Sequence, residues 1–177
     1  MSIQNEVLTA IARRRSCRAY QDRQVEAAAL DAVLTAGTWA PTGMGRQSPV
    51  IVAVQDREAR DTLSRLNAAV MGQDKDPFYG APTVLVVLAD RNVPTHLEDG
   101  SLVMGDLLLA AHSVGLGACW IHRAREVFAS AEGRALLQKW GLDPDRYVGV
   151  GHCILGYPAA GGIREPLPRK ANYVVKV

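Results

Sequence analysis

The feature that most constrains the fold is a long hydrophobic segment near the middle of the chain, residues 102–121. From Leu102 to Val114 apolar residues occupy every side of a helical projection, which is typical of a helix that is covered on all sides. Gly115 stands where a left-handed helix cap is needed, and Gly117 leads into the apolar run from Ala118 to Ile121, which predicts an interior strand. A chain of 177 residues has little room for a second such core, so we expect the other segments to pack around this helix and strand.

The composition is that of one ordinary globular domain, residues 1–177. Apolar residues make up 48% of the chain, and 20 basic against 18 acidic residues leave a net charge of +2. This charge is too small to predict a nucleic-acid-binding surface, and no apolar run is long enough to span a membrane. Residues 1–4 lack the hydrophobic core of a signal peptide. We therefore expect a cytoplasmic protein with no nucleic-acid partner and no membrane partner.

Hydrophobic periodicity divides the rest of the chain into helices and strands. It predicts helices over residues 4–14, 25–36 (with Gly37 as a stop), 56–70 and 130–140, and strands over residues 50–54, 83–89, 118–121 and 147–156. Two helices precede the first strand, which indicates a layered α+β domain rather than a regular βαβ array. The short β-like run from Tyr173 to Lys176 needs a strand to pair with, and a second subunit is one source of it.

Few side chains look assembled for chemistry of their own. The spacing of His96, Glu98 and Asp99 matches no compact metal site, and Asp99 is better explained as a helix cap. No Ser/His/Asp order and no pair of carboxylates stands out. His122 lies just beyond the predicted strand, at the kind of sheet edge where ligands commonly bind. We predict no catalytic side chain and no metal.

The three cysteines do not form a recognisable framework. They make no Cys-x-x-Cys pair and no even set, which argues against disulfides and zinc. Cys119 and Cys153 lie in apolar runs and are interpreted as small buried residues. Cys17 has arginine neighbours but no base nearby in the sequence, so we do not predict it to be a nucleophile.

Positive charge is concentrated in residues 13–20, RRRSCRAY. One interpretation is structural, because cations are favourable at the C-terminus of the helix that precedes them. The other is functional, because several guanidinium groups and one hydroxyl within so short a segment are able to bind a phosphate. The segment alone does not decide between the two.

Residues 39–49 contain two prolines and two glycines and are predicted to be irregular. Glycines allow backbone amides to approach a ligand, and Thr42 and Gln47 offer polar groups. A surface connection and a binding loop are both consistent with this composition. The glycine pairs of the chain, 43/45, 115/117 and 149/151, all lack the strand-before, helix-after context of a dinucleotide fingerprint.

Four motifs in this order resemble those of the FMN-dependent nitroreductase family: RRSxRxY at residues 14–20, APTGxxxQ at 40–47, LGxCWI at 116–121 and LGYP at 155–158. The resemblance implies a nitroreductase-like α+β sandwich with a central mixed sheet flanked by helices and a C-terminal strand exchanged with the partner subunit. It also implies a homodimer with FMN at the subunit interface, NAD(P)H as the electron donor and a small-molecule acceptor such as a nitroaromatic compound or a quinone.

The resemblance also implies which residues bind FMN. Those expected at the phosphate and the ribityl chain are Arg14, Arg15, Ser16, Arg18, Arg169 and Lys170. Those expected along the isoalloxazine ring are Pro41, Thr42 and Gly43 from one subunit, Trp120, Ile121 and His122 from the other, and in addition Gln47 and Asn67. The flavin then carries the chemistry, which agrees with the lack of a catalytic side-chain constellation.

Two other hypotheses remain open at this point. The chain could be an FMN-binding carrier or redox-sensing module without reductase turnover. It could also bind a phosphate ligand other than flavin, since the same arginines would serve. Oxidation of NAD(P)H separates the first from an enzyme, and a flavin spectrum separates the second from both.

Overall fold

The computed structural model describes residues 3–177; Met1 and Ser2, part of the N-terminal segment without a signal core, lie outside the described residues. Within this range the chain forms six α-helices and four strands. In chain order they are α1 (Glu6–Arg13), α2 (Ala27–Thr38), β1 (Pro49–Val54), α3 (Arg57–Met71), β2 (Thr83–Asp90), α4 (His96–Ser113), β3 (Gly117–Ile121), α5 (Ala124–Ala129), α6 (Ala131–Lys139) and β4 (Tyr147–Gly156).

The four strands form one sheet in the order β1-β2-β4-β3. The expected α+β class is confirmed, but all three ladders are antiparallel, whereas we expected a mixed sheet. Within residues 3–177 the only parallel pairing is an isolated bridge between Ser16 and Ala118. The antiparallel order arises because β2 begins beside the end of β1, where Val54 pairs with Val84, so α3 and the loop after it bring the chain back to the same end of the sheet.

Helices cover both faces of the sheet, and β2 is buried along its whole length. Alternate residues of a strand point to opposite faces. Leu85 and Val87 accordingly pack in the layer of α2 and α4, and Val84 and Val86 pack in the layer of α3, α5 and α6. The prediction of an interior strand over residues 83–89 is therefore confirmed.

A bulge in β4 shapes the neighbourhood of β3. Val87 pairs with Gly151 and Leu88 pairs with Gly149, so Val150 is an extra residue in the ladder. The two flanking glycines allow close packing: a Cβ on Gly151 would lie 2.4 Å from the Trp120 indole nitrogen, and one on Gly149 would lie 2.3 Å from the carbonyl oxygen of Ala124. The glycine pair 149/151 thus allows β3 and α5 to pack closely on β4, and this packing explains both glycines without a bound nucleotide.

The central helix α4 is longer and less covered than expected. It begins at His96, with Thr95 as the N-cap, so the prediction that Asp99 caps this helix is wrong. Its end is as predicted, since Gly115 has a left-handed φ of 80° and closes the helix. Within one chain only one side of α4 is buried: Leu102 is half exposed, and a Cβ on Gly105 would have no neighbour within 4 Å.

Helix boundaries outside α4 follow local signals, with two exceptions. Asp56 and Ser130 cap α3 and α6 as predicted, each accepting a hydrogen bond from a backbone N–H of the first turn. Gly37 does not stop α2, which continues to Thr38. The missing Cβ of Gly37 instead allows the side chains of Leu107 and Ile51 to pack closely against the helix. The short helix α5 has too few residues to show a periodic pattern and was not predicted.

The C-terminal segment forms no ladder within the chain. Residues 171–173 make a short 3-10 turn, and residues 163–177 are exposed throughout. Exchange of residues 173–176 with a partner subunit therefore stays a prediction. Among residues 3–177, no helix combines the length and the hydropathy that a bilayer crossing requires.

Candidate functional site

The basic segment after α1 lies along the outer edge of β3. Ser16 forms the parallel bridge with Ala118, and the N–H of Cys17 donates to the Ala118 carbonyl oxygen at 3.0 Å. Cys17 is completely buried, whereas Ser16 is partly exposed and Arg18 is exposed. The burial of Cys17 agrees with the prediction that it is not a nucleophile, and Cys119 and Cys153 are buried as predicted.

The arginines of this segment have no acidic partners. None of Arg14, Arg15 and Arg18 forms an ion pair with a carboxylate in residues 3–177. The Arg15 Nη1 donates to the carbonyl oxygens of Ala12 and Arg14, at 2.7 and 2.6 Å, near the end of α1. Arg15 therefore fits the structural interpretation, while Arg14 and Arg18 keep uncompensated positive charge beside β3. Such charge attracts an anion.

The last residues of β3 have no strand on their outer side. β4 pairs with Trp120 and Ile121 on the inner side, but on the outer side the described residues place no backbone partner beyond the bridge of Ser16 to Ala118, either along these two residues or along His122, which follows β3. The indole Nε1 of Trp120 is buried and lacks a hydrogen-bond partner. This part of β3 thus offers an open backbone edge to a ligand, next to the uncompensated arginines.

A fully buried amide supports the turn that follows β3. The Asn67 Nδ2 donates to the His122 carbonyl oxygen at 2.8 Å, and the Asn67 Oδ1 accepts from the Arg123 Nε at 3.0 Å. The same Nδ2 lies 3.4 Å from the Nδ1 of His152 on β4. Asn67 has no exposed surface, so within the chain it acts on the site through His122 and Arg123.

His152 is the buried end of this network. Burial is the main cause that lowers the pKa of His152 from 6.5 to about 4, and the nearby charge of Arg123 acts in the same direction. The imidazole therefore stays neutral at neutral pH, and Phe78 and Phe128 lie against it, with ring centroids 5.3 and 6.0 Å away. His152 is thus a histidine of the core, although its Nε2 has no hydrogen-bond partner.

The loop of Pro41, Thr42, Gly43 and Gln47 is a constrained structure. Met44, Gly45 and Gln47 all have left-handed φ angles, between 49° and 65°. The Gln47 N–H donates to the Thr42 hydroxyl at 3.0 Å. Gly43 lies so close to α4 that a Cβ there would meet the Thr95 hydroxyl at 2.2 Å. Pro41 and the Gln47 side chain remain exposed.

Asp99 anchors this loop to α4. Its Oδ1 accepts from the Gly43 N–H at 2.8 Å, and its Oδ2 accepts from the hydroxyls of Ser48 and Thr95, at 2.7 and 3.2 Å. Burial by itself raises the pKa of Asp99, but these three hydrogen bonds to the carboxylate outweigh it, and the net pKa is lowered. This role of Asp99 was not predicted from the sequence. The signal that the helix begins before Asp99 was the capping-box spacing of Thr95 and Glu98, a Thr followed three residues later by a Glu.

The C-terminal candidates make only local contacts. The Arg169 Nη2 donates to the Leu167 carbonyl oxygen at 2.8 Å, and the Lys170 Nζ lies 5.3 Å from the centroid of the Tyr173 ring. Both side chains are exposed. The structure thus does not join them to the basic segment within one chain, and their role at a phosphate stays a prediction.

The predicted residues therefore fall into separate groups in a single chain. Arg14, Ser16 and Arg18 meet β3, and Asn67 supports the end of β3. The loop of residues 41–47 is held by α4 instead, and Thr42 and Gln47 line a cavity of about 330 Å³ between α2 and β1. A larger cavity of about 520 Å³, with Arg91, Arg125 and Arg134 in its wall, is lined by none of the predicted residues.

The sequence also matches a known protein family over most of its length. A family model described as the nitroreductase family matches residues 11–77 and 72–157. The FMN reductase (NAD(P)H) of Bacillus subtilis strain 168 is 27% identical over an alignment of 186 positions, and the alignment covers 94% of this chain and 72% of that protein.

Solved structures show the same fold. A nitroreductase with bound FMN from Bacteroides fragilis is 30% identical and has a TM-score of 0.90, covering 98% of this chain and 100% of the other. A nitroreductase with bound FMN from Desulfitobacterium hafniense is 25% identical and has a TM-score of 0.87, covering 99% of this chain and 100% of the other. The similarity therefore extends over the whole chain rather than over single motifs.

Replacement of the loop anchor should loosen residues 42–48. We expect Asp99→Ala to lower the free energy of unfolding by about 2–3 kcal/mol, because it leaves the Gly43 N–H and the Ser48 hydroxyl without their buried acceptor. Asp99→Asn should cost less, since its carbonyl oxygen can still accept from Gly43. Urea unfolding and amide hydrogen exchange of residues 42–48 measure both effects, with the exposed neighbour Glu98→Ala as the control. Unchanged exchange in Asp99→Ala would contradict the anchoring role.

Acid should destabilise the flavin-free protein through His152. Because folding lowers the pKa of His152 from 6.5 to about 4, the unfolded chain binds the proton first as the pH falls. The contribution of the neutral His152 to the free energy of unfolding is complete above about pH 6.5 and is lost progressively down to about pH 4. Between pH 7 and pH 5 we expect a loss of about 2 kcal/mol in the free energy of unfolding.

The His152→Gln variant, which does not titrate, tests this assignment. It should lose clearly less stability than the wild type between the same two pH values in urea unfolding. His112→Gln, on the partly exposed side of α4, should keep the wild-type loss. Equal losses in all three proteins would show that the pH dependence arises elsewhere.

Proposed function

The chain belongs to the nitroreductase family, and on this premise we propose that it is an FMN-dependent oxidoreductase that takes electrons from NAD(P)H. Relatives described as an FMN reductase and as nitroreductases with bound FMN support this activity. The proposed acceptors are small molecules such as nitroaromatic compounds or quinones. The cytoplasmic location expected from the sequence stays a prediction.

The observation that carries the proposal is the unpaired positive charge beside β3. Arg14 and Arg18 have no carboxylate partner among residues 3–177, and the Ser16 hydroxyl lies on the same extended segment. Guanidinium groups and a hydroxyl are suitable donors to a phosphate. These residues fit the FMN phosphate, and Arg169 is proposed to join them when the C-terminal segment lies against a partner subunit.

The open edge of β3 fits the ring system. Backbone groups of Trp120, Ile121 and His122 are proposed to lie along the isoalloxazine, because no other strand pairs with this outer edge in the described residues. Pro41, Thr42 and Gly43 are proposed to approach the ring from the second subunit, on the loop that Asp99 holds rigid.

The mechanism needs little acid-base chemistry from side chains. When bound, FMN supplies the redox chemistry, accepting a hydride from NAD(P)H and passing two electrons to the acceptor. The residues described above bind the phosphate, orient the ring and shape the space in which donor and acceptor alternate. Because both use one site, the reaction is proposed to be ping-pong, with NAD(P)⁺ leaving before the acceptor binds.

A homodimer is proposed because the chain exposes an apolar face on one side. The helix α1 buries none of its residues, although Val7, Leu8 and Ile11 form an apolar stripe at helical spacing. Val7 of this stripe, the exposed Trp39 and Leu109 of α4 line an open cavity of about 460 Å³. Exposed patches of this kind are typical of protein interfaces. A second copy of the chain is the proposed occupant.

The purified protein should be yellow, or become yellow when FMN is added, and NADPH or NADH should bleach the flavin bands without oxygen. Bleaching followed by reoxidation with a quinone or a nitroaromatic compound supports the enzyme. Bands that persist with both nucleotides would instead identify a carrier or redox-sensing module. Failure to bind FMN at all would refute the proposed function.

Removal of phosphate contacts should release FMN. We expect Arg14→Ala to raise the FMN dissociation constant by about 10-fold or more, since a hydrogen bond to a charged group contributes about 1.5–3 kcal/mol. Arg169→Ala should act in the same direction. Arg57→Ala is the matched control, because its side chain is 95% exposed on α3. Wild-type flavin content in both variants after gel filtration would exclude the phosphate assignment.

The proposed dimer is tested at Gly105. The outer side of α4 has no neighbour there in one chain, so Gly105→Leu should leave the subunit folded but raise the dimer dissociation constant by roughly tenfold or more through overpacking. Ala69→Leu, on the exposed side of α3, is the control. Sedimentation equilibrium measures both. An unchanged dimer in Gly105→Leu would remove α4 from the interface.

A further inference from the structure

We propose that Arg123 is a fixed cation that stabilises reduced FMN, and that Asn67 is the positioning residue that holds it in place. This inference rests on the proposed function, because it concerns the flavin ring that the end of β3 would carry. It gives a role to two groups that the phosphate-binding set does not include: the guanidinium after His122 and the buried amide of α3.

The backbone of Arg123 is held in an unfavourable conformation. Its φ of 75° is left-handed, although Arg is not glycine, and it lies directly between the end of β3 and the start of α5. Such a conformation is unfavourable for a residue other than glycine and persists only where surrounding contacts impose it; it is common at functional sites. At this turn the Asn67 amide hydrogen-bonds both the His122 carbonyl oxygen and the Arg123 Nε.

The orientation of the Asn67 amide is determined by its partners. The Nδ2 has an acceptor in the His122 carbonyl oxygen, and the Oδ1 has a donor in the Arg123 Nε. A flipped amide would place two acceptors together and two donors together, so only one orientation is satisfied. With no exposed surface, Asn67 has no competing water. The network therefore fixes the guanidinium relative to the end of β3.

The charge of Arg123 is not neutralised within the chain. No carboxylate of residues 3–177 forms an ion pair with it. Its neighbour His152 is buried and neutral, so the network adds no counter-charge. A partly buried cation with no partner attracts an anionic group more strongly than a solvated one does.

The proposed phosphate contacts belong to the basic segment, which leaves Arg123 for another anionic group. The phosphate-binding segment meets β3 at Ala118, where Ser16 pairs. His122 lies four residues further along, which is roughly 13 Å at the rise of a strand. The backbone bridge of the basic segment and the turn that carries Arg123 therefore lie at opposite ends of β3. At the ring end the negative charge arises on reduction, so the cation should favour reduced FMN over oxidised FMN.

The test measures the midpoint potential of bound FMN together with the dissociation constant of oxidised FMN. We expect Arg123→Gln to weaken binding of reduced FMN about tenfold more than binding of oxidised FMN, which lowers the two-electron potential by about 30 mV. Arg123→Lys keeps the charge and should stay closer to the wild type. Asn67→Ala should lower the potential although Arg123 is intact, because the guanidinium is no longer fixed. Arg125→Gln, two residues further on, is the control.

The outcomes separate the inference from the proposed function. A wild-type protein that binds no FMN refutes both. A wild type that binds FMN, with the same potential in Arg123→Gln, overturns the role of Arg123 alone. A purely structural role predicts weaker binding of both flavin forms with no change in potential, and an equal shift in Arg123→Lys and Arg123→Gln also overturns the proposal. Circular dichroism and thermal unfolding establish that each variant is folded.

Discussion

The bulge of β4 at Val150 is the constraint on which the two layers and the candidate site depend. It places Val150 in the layer of α2 and α4, against Gly100, while the glycines on either side allow Trp120 and α5 to pack directly on the strand. Adding a single Cβ in a tight interior costs about 1–3 kcal/mol. A side chain at residue 149 or 151 would therefore push α5 or Trp120 of β3 away from the strand.

Charge is distributed unequally between the two parts of the candidate site. The loop of residues 41–48 is held by one buried carboxylate, Asp99, whose three hydrogen bonds are enough to keep it ionised. The neighbourhood of β3 has the opposite arrangement, because Arg14, Arg18 and Arg123 are cations without acidic partners in the described part of the chain. A buried charge whose hydrogen bonds are all made within the chain holds its neighbours in place. An unpaired cation, in contrast, remains able to form charge-assisted hydrogen bonds with an anionic ligand. The two arrangements suit a site in which one chain supplies a rigid wall and another supplies the anion-binding surface.

Much of the fold was predictable because its signals are local. The strands over residues 83–89 and 147–156, the caps at Asp56 and Ser130 and the turn at Gly115 all follow from neighbours in the sequence, and all are confirmed. The antiparallel order of the sheet, the continuation of α2 through Gly37 and the short helix α5 depend on contacts between distant residues, and sequence reasoning missed them. In the candidate site, the basic segment and the end of β3 were predicted from residue type. The partners of Asn67 and Asp99 were not, because His122 and Gly43 are each more than fifty residues away from them.

The sequence by itself determined the chemistry available to this protein: a concentrated group of arginines, an irregular glycine-rich loop, an apolar helix and strand at the centre, and no assembled catalytic side chains. These are properties of residue types and of their spacing, so they do not require a fold. Only the tertiary structure decided which of these groups act together. It made Asp99, expected to be a helix cap, the anchor of a loop, and it joined the buried Asn67 to His122 and Arg123 at the end of β3. The physical reason is that a hydrogen bond between distant residues forms only after the packing of α3, α4 and β4 has brought its donor and acceptor together.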